Sequence, residues 1–242
     1  MSPGSAMSLD GKRVVVIGGA SGIGFAVAAL SREIGAEVVI ASRNAANVAA
    51  AVERLPGAKG HTVDLRDEAS VSGLFKTLGA FDHLAITAGD WGGPRFVATK
   101  DLDLAAARDG FEIRFWGVLA AVKYGSRTIA ANGSITMTSG LMAHRPRKGA
   151  PLATAIGGAV EHLARGLAVD LAPVRINAVC PGMVLTEVVK QASEATLRAW
   201  VAGLPLPRGA SPTEAATTYI YLMLNSYVTG QTLAVDGGGL LV

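Results

Sequence analysis

The chain has 242 residues, 50% of them hydrophobic, a formal net charge of +3 and a single cysteine, Cys180. That length and apolar content suit the core of one α/β domain, and a mild charge without a basic, aromatic-interleaved run argues against a nucleic-acid partner. No apolar run approaches the roughly 20 residues of a membrane span, and one cysteine excludes an internal disulfide, which together point to a cytoplasmic protein with a small-molecule ligand.

The start, Met1 to Met7, lacks the basic region and apolar core of a signal peptide. Residues 1–10 are expected to form a tail and 11–242 one domain. Short apolar runs then alternate with longer amphipathic segments, the pattern of a doubly wound parallel sheet with helices on both faces. Strands are predicted near 13–18, 36–41, 59–63, 82–87, 133–138, 174–179 and 232–235. Helices are predicted near 22–34, 45–54, 67–78, 101–131 (broken near Gly110), 152–171, 187–202 and 212–224. Asp67, Ser211 and Pro212 stand where helix caps and first-turn residues belong. Gly92, Gly93 and Pro94 mark a loop.

Between the first strand and first helix lies Gly18-Gly19-Ala20-Ser21-Gly22-Ile23-Gly24. Gly18 and Gly22 permit a tight turn and close backbone approach, and Gly24 permits close helix–strand packing. Such a turn aims backbone N–H groups, with those of Ser21 and Ile23, at a dinucleotide pyrophosphate. The second strand ends in Ser42-Arg43, where an acid would bind the adenosine ribose and repel a 2′-phosphate. A hydroxyl and a guanidinium suit that phosphate instead, so NADP(H) is preferred and NAD(H) remains possible. The alternative for Arg43 is a solvated loop arginine. Asp64, at the end of the third strand, is placed to accept from the adenine amino group, supported by the Leu65 N–H, or else to cap the following helix.

Two loops begin at the carboxyl ends of strands, where ligands bind in open α/β sheets: 139–151 and 181–207. In the first, His144 suits acid–base work near neutrality, and Arg145, Arg147 and Lys148 favour an anionic substrate, unless the loop is simply an exposed basic one. Trp91, Trp116 and Trp200 are candidates to wall a pocket for a ring-bearing ligand, or are core and subunit contacts. His61, His83 and His162 do not cluster with one another or with cysteine, so no metal site is expected. Cys180 reads as a buried small residue at a strand end.

Taken in order, these residues resemble the short-chain dehydrogenase/reductase family from about Leu9 to Val242. Ile17-Gly18-x-x-x-Gly22-Ile23-Gly24 matches its glycine motif, with threonine replaced. Ile86-Thr87-Ala88-Gly89 partly matches its Asn-Asn-Ala-Gly. Pro181-Gly182 and Thr229-Gly230-x-x-x-x-Val235-Asp236-Gly237-Gly238 match its later motifs. The resemblance implies a Rossmann-type fold, Ala88, Gly89, Pro181 and Gly182 against the cofactor, and Val184 and Thr186 on the nicotinamide carboxamide. It also implies a homotetramer or homodimer.

The family's chemistry uses Asn, Ser, Tyr and Lys. Ser139 fits the serine, and the asparagine position falls on Arg114. Reading back without a gap from Ala159-Val160-Glu161 puts Ala153 at the tyrosine and Gly157 at the lysine. These two small residues are expected to leave a hole beside the nicotinamide. Arg114 is the leading candidate to enter it, clamping a substrate carboxylate or polarising a carbonyl; the alternative is an arginine fixed structurally through Glu112 or Asp109. Ser139, with no base nearby, is expected to orient substrate rather than attack it. Three functions remain open: an oxidoreductase with an altered proton donor, its burden eased by an imine or conjugated C=C substrate; a catalytically silent cofactor-binding protein; and a non-redox cyclase or isomerase.

Overall fold

The computed structural model describes residues 8–89 and 96–242. Seven strands, β1 (Arg13–Ile17), β2 (Glu37–Ser42), β3 (Lys59–Thr62), β4 (Phe81–Ile86), β5 (Ile129–Thr138), β6 (Arg175–Pro181) and β7 (Thr232–Val235), form one sheet in the order β3-β2-β1-β4-β5-β6-β7. Every pairing is parallel. The helices are α1 (Gly22–Glu33), α2 (Ala45–Arg54), α3 (Glu68–Leu78), α4 (Leu104–Phe111), α5 (Val118–Gly125), α6 (Pro151–Asp170), α7 (Glu194–Val201) and α8 (Pro212–Leu224).

The period of two along each strand divides the core. Val15 and Ile17 of β1 face a cluster built from α3, α5 and α6 through Phe75, Val122 and Val160. Val14 and Val16 face the opposite cluster, which α1, α2 and α8 close with Val27, Ala51 and Tyr219. Strands buried on both faces explain the near-continuous apolar runs. The strand order reverses between β1 and β4, which opens a crevice at their carboxyl ends. Asp67 accepts from Ala69 N–H at the start of α3, and Ser211 with Glu214 forms a reciprocal capping box on α8.

Several predicted boundaries move. Leu9, expected in a tail, is 2% exposed, and its N–H donates to the Ile34 carbonyl. The helix predicted over 101–131 ends at Gly125 because β5 starts at Ile129, paired with Phe81 across an irregular register. Between α4 and α5 the chain makes a π-helical turn over Glu112–Gly117 rather than a break at Gly110. The helix predicted over 187–202 is a short 3₁₀ turn, Val189–Gln191, followed by α7, whose cap is Ser193. Met1 to Met7, Trp91 and the Gly92-Gly93-Pro94 loop lie outside the described residues. No described helix is long and apolar enough to cross a membrane.

His83 on β4 is 5% exposed, with Nδ1 2.9 Å from Ser134 Oγ on β5. Burial, aided by the Arg175 charge, pushes its pKa from 6.5 down to about 4. The unfolded chain therefore takes up a proton at a higher pH than the folded one. Stability is fully present above about pH 6.5 and falls as the pH drops towards 4, by roughly 3 kcal/mol in all. Urea unfolding at pH 7 and pH 4.5 is expected to show this loss in the wild type and a smaller pH slope in His83→Gln; equal slopes would remove His83 as the cause.

Candidate active site

A cleft of about 1110 Å³ opens at the carboxyl ends of the strands. The glycine turn after β1 supplies Gly18, Ser21, Gly22, Ile23 and Gly24. Ser42 and Arg43 come from the end of β2, Asp64 and Leu65 from the loop after β3, and Ala88 and Gly89 from beyond β4. Pro181, Gly182, Val184 and Thr186 close it from beyond β6, and Arg114 and Ser139 also line it. One cleft thus gathers every residue predicted at the cofactor site.

The turn has no room for a side chain at Gly18 or Gly24. Gly18 holds φ at +89°, and a methyl group on it would come within 2.5 Å of the Ala88 nitrogen. One on Gly24 would strike the Gly18 carbonyl oxygen and Thr87 Oγ1. The first helical residues follow at once. Ser21 is the N-cap of α1 but makes no side-chain cap bond, and the first turn carries no acid. A helix start in this state favours an anion.

Asp64 is placed differently from expectation. β3 stops at Thr62, so Asp64 lies in the loop, where its carboxylate accepts from the Arg66 N–H at 3.0 Å and its own N–H donates to Ser70 Oγ at 3.1 Å. It lines the cleft as a fixed loop residue, and the helix cap is Asp67.

Arg114 sits on the π-helical turn and is 9% exposed. Such turns displace side chains from the ordinary helical register and recur at functional sites. Its Nη2 donates to the Gly89 carbonyl at 3.1 Å, tying this turn to the segment after β4. Arg145, Arg147, Glu187 and Asp236 line the same cleft, with Phe96 and Trp200 as its aromatic surface. Trp116 is not among the lining residues; it is 55% exposed and packs edge-on against Phe115.

Ser139, directly after β5, is 3% exposed. Its Oγ donates to Glu161 Oε1 at 2.7 Å. The expectation that Ser139 has no base nearby is therefore overturned. His144 is not a lining residue; its Nε2 lies 3.0 Å from Oε1 and 2.8 Å from Oε2 of Glu161. Glu161 comes from the middle of α6 and its side chain is 3% exposed, against 40% for His144. Sequence reading missed Glu161, because one acid 22 residues from its serine partner has no local signature. Cys180 joins the group: ligand atoms of His144, Glu161 and Cys180 lie within 4.8 Å of one another. Hydrogen bonds to the shared carboxylate account for much of this closeness.

Ala153 and Gly157 are buried on α6 but do not line the cleft. A methyl group on Gly157 would come within 3.0 Å of Ala143 Cβ. The 3₁₀ turn Leu141–Ala143 packs against α6 there, so at Gly157 the space is filled from the loop after β5.

Burial raises the Cys180 thiol to about 11, with Glu161 and Asp236 adding to the effect and Ser139 opposing it. At pH 8 roughly one molecule in a thousand then carries the thiolate. The native protein is expected to leave Ellman's reagent essentially unreacted over minutes, while the urea-unfolded chain releases one equivalent at once. Rapid reaction of the native protein would contradict this placement.

Residues 18–239 match the profile of the family described as enoyl-(acyl carrier protein) reductase. The short-chain dehydrogenase/reductase ucsE of an Acremonium species is 33% identical over 272 residues, covering all of both chains. The reductase/Diels-Alderase MalC of Malbranchea aurantiaca superposes with a TM-score of 0.91 at 33% identity, covering 98% of this chain and 100% of that one. A small-chain dehydrogenase solved in complex with NADPH superposes at 0.83 with 33% identity, covering 96% and 99%. With the parallel sheet, its order and the glycine turn, these similarities place the chain in the short-chain dehydrogenase/reductase family of oxidoreductases.

Proposed function

We propose that this chain is an NADP(H)-dependent oxidoreductase with a non-standard active site, in which Arg114, Ser139, Ala153 and Gly157 stand where the family has Asn, Ser, Tyr and Lys. The observation that carries the cofactor reading is the convergence on one cleft of the glycine turn, the Ser42-Arg43 pair and the Pro181–Thr186 segment. The cradle fits a dinucleotide: glycine leaves the backbone bare at Gly18 and Gly24, and α1 starts without an acid. Ser42 and Arg43 would hold a 2′-phosphate, and a solved relative binds NADPH. Bound NADPH supplies a hydride.

The residues nearest the reacting end are Ser139 and Arg114. Ser139 orients a substrate oxygen. Arg114, charged at every useful pH, stabilises negative charge but does not give up a proton. With Arg145 and Arg147 it favours an anionic substrate, and Phe96 and Trp200 favour one that carries a ring. A tyrosine is needed less where the substrate is a protonated imine, which becomes a neutral amine, or a conjugated alkene, whose charge spreads over carbon as well as oxygen. A second reading, a non-redox ring-forming activity in the same cleft, gains support from the relative that is both reductase and Diels-Alderase.

Titration with NADPH and NADH by nicotinamide fluorescence tests the cofactor reading. NADPH is expected to bind at least tenfold more tightly, about 1.4 kcal/mol, and Arg43→Ala to remove most of that difference while leaving NADH unchanged. Equal affinities in the wild type would contradict the assignment of Ser42 and Arg43, and binding of neither would favour the non-redox reading.

A further inference from the structure

We propose that Ser139, Glu161 and His144 form a proton relay through the wall of the cleft, with His144 as its solvent end and Ser139 as the group that protonates the substrate. This rests on the oxidoreductase reading and supplies the proton donor that Ala153 and Gly157 do not.

Three observations carry it. The three side chains are joined without a gap, 2.7 Å from Ser139 Oγ to Glu161 Oε1 and 2.8 to 3.0 Å from the carboxylate to His144 Nε2. The two ends differ in surroundings: Ser139 and Glu161 are both buried, and only His144 reaches water. Ser139 lines the cleft, Glu161 is sealed within the protein, and the His144 side chain is 40% exposed outside the cleft lining. The elements are also held firmly: Ser139 N–H donates to the Val179 carbonyl, and His144 N–H to that of Leu141. A carboxylate buried to this depth needs partners that carry protons, and the His144 imidazole is the partner that also reaches water.

The proton balance is simple. Reduction of a carbonyl leaves the former π electrons on its oxygen. The Ser139 hydroxyl, which here donates to Glu161 Oε1, turns to the substrate oxygen, and its Oγ–H bond breaks as the substrate O–H bond forms. The replacement proton starts on His144: loaded at Nδ1 by a solvent acid, the imidazolium gives its Nε2 proton to the Glu161 carboxylate, which hands it on to Ser139 Oγ, leaving Glu161 ionised and His144 neutral with its proton on Nδ1. A hydroxyl suits the inner position because it donates and accepts at once and so never holds a charge. Cys180, although beside Glu161, is held as the neutral thiol by burial and does not compete as a donor. Glu161 and His144 are positioning and proton-carrying residues; of the three relay members, only Ser139 touches the substrate.

Two probes separate the proton from the rest of the reaction. Trifluoroacetophenone needs a proton on its oxygen, whereas N-methyl-3,4-dihydroisoquinolinium carries a permanent positive charge and needs none. Glu161→Gln and His144→Ala are each expected to lower kcat for the ketone about 100-fold, the scale of lost general-acid catalysis. KM, NADPH affinity and turnover of the iminium should stay within about twofold. Added imidazole should restore part of the ketone activity of His144→Ala. Independently of turnover, nitrogen NMR of the imidazole should find a proton on His144 Nε2. Equal losses on both probes would mean a structural role, and unchanged ketone turnover or a bare Nε2 would overturn the relay. A wild type that binds NADPH and reduces neither probe contradicts the oxidoreductase reading itself, while the imidazole tautomer still reports on the relay.

Discussion

The approach of three strand ends to within backbone contact is the constraint on which the cleft depends. Thr87, just past β4, reaches the Ile17 carbonyl with both its N–H (2.8 Å) and its hydroxyl (3.2 Å). Gly18 N–H reaches the Ala41 carbonyl at the end of β2 at 2.8 Å. α1 then starts so close beneath this knot that Gly24 has no space for a methyl group. The turn that results presents peptide N–H groups and a helix start to one point, at the reversal of strand order, with side chains kept out of the way. A pyrophosphate is the ligand this arrangement suits, because it needs donors and positive potential rather than any particular side chain.

The other end of the cleft is governed by a different constraint, the cost of a charge without water. Glu161 is sealed inside α6, yet it holds Ser139 on one side and His144 on the other. Arg114 is almost as deeply buried and is anchored at Gly89. Such groups cost several kcal/mol to desolvate unless each is hydrogen-bonded. Their presence in a wall that apolar residues would build more cheaply speaks for a chemical use. The small residues of α6 act indirectly: with Gly157 bare, the turn carrying Leu141 to Ala143 packs against the helix and brings His144 over Glu161.

The fold and the glycine turn that lines the cleft were legible in the sequence because their signals are local. Alternation of buried runs and amphipathic stretches gives strands and helices, and the glycine spacing belongs to one turn. Element ends were less legible where backbone context decides. β5 extends back to Ile129 through an irregular pairing with Phe81, and Ser193 restarts a helix that the apolar pattern runs through. Asp64 was expected to end β3, which stops two residues earlier, although Asp64 still lines the cleft. The hydrogen-bonded group of Ser139, Glu161 and His144 was only half visible. Ser139 and His144 share one loop and could be named, whereas Glu161 is a single acid on a helix whose meaning lies in a contact across the fold. The hole expected at Gly157 failed for the same reason, since nothing in the helix itself shows that Ala143 fills it.

A crystal structure of the protein with NADPH is the most direct measurement of the central claim, that this cleft is a working NADPH site with its reacting end at Ser139. The expected result is a 2′-phosphate against Ser42 and Arg43, a pyrophosphate on the Gly18–Gly24 turn and a nicotinamide whose reactive face is turned towards Ser139 and Arg114. A nicotinamide directed out of the cleft, or a nucleotide bound without contact to Arg43, would contradict it.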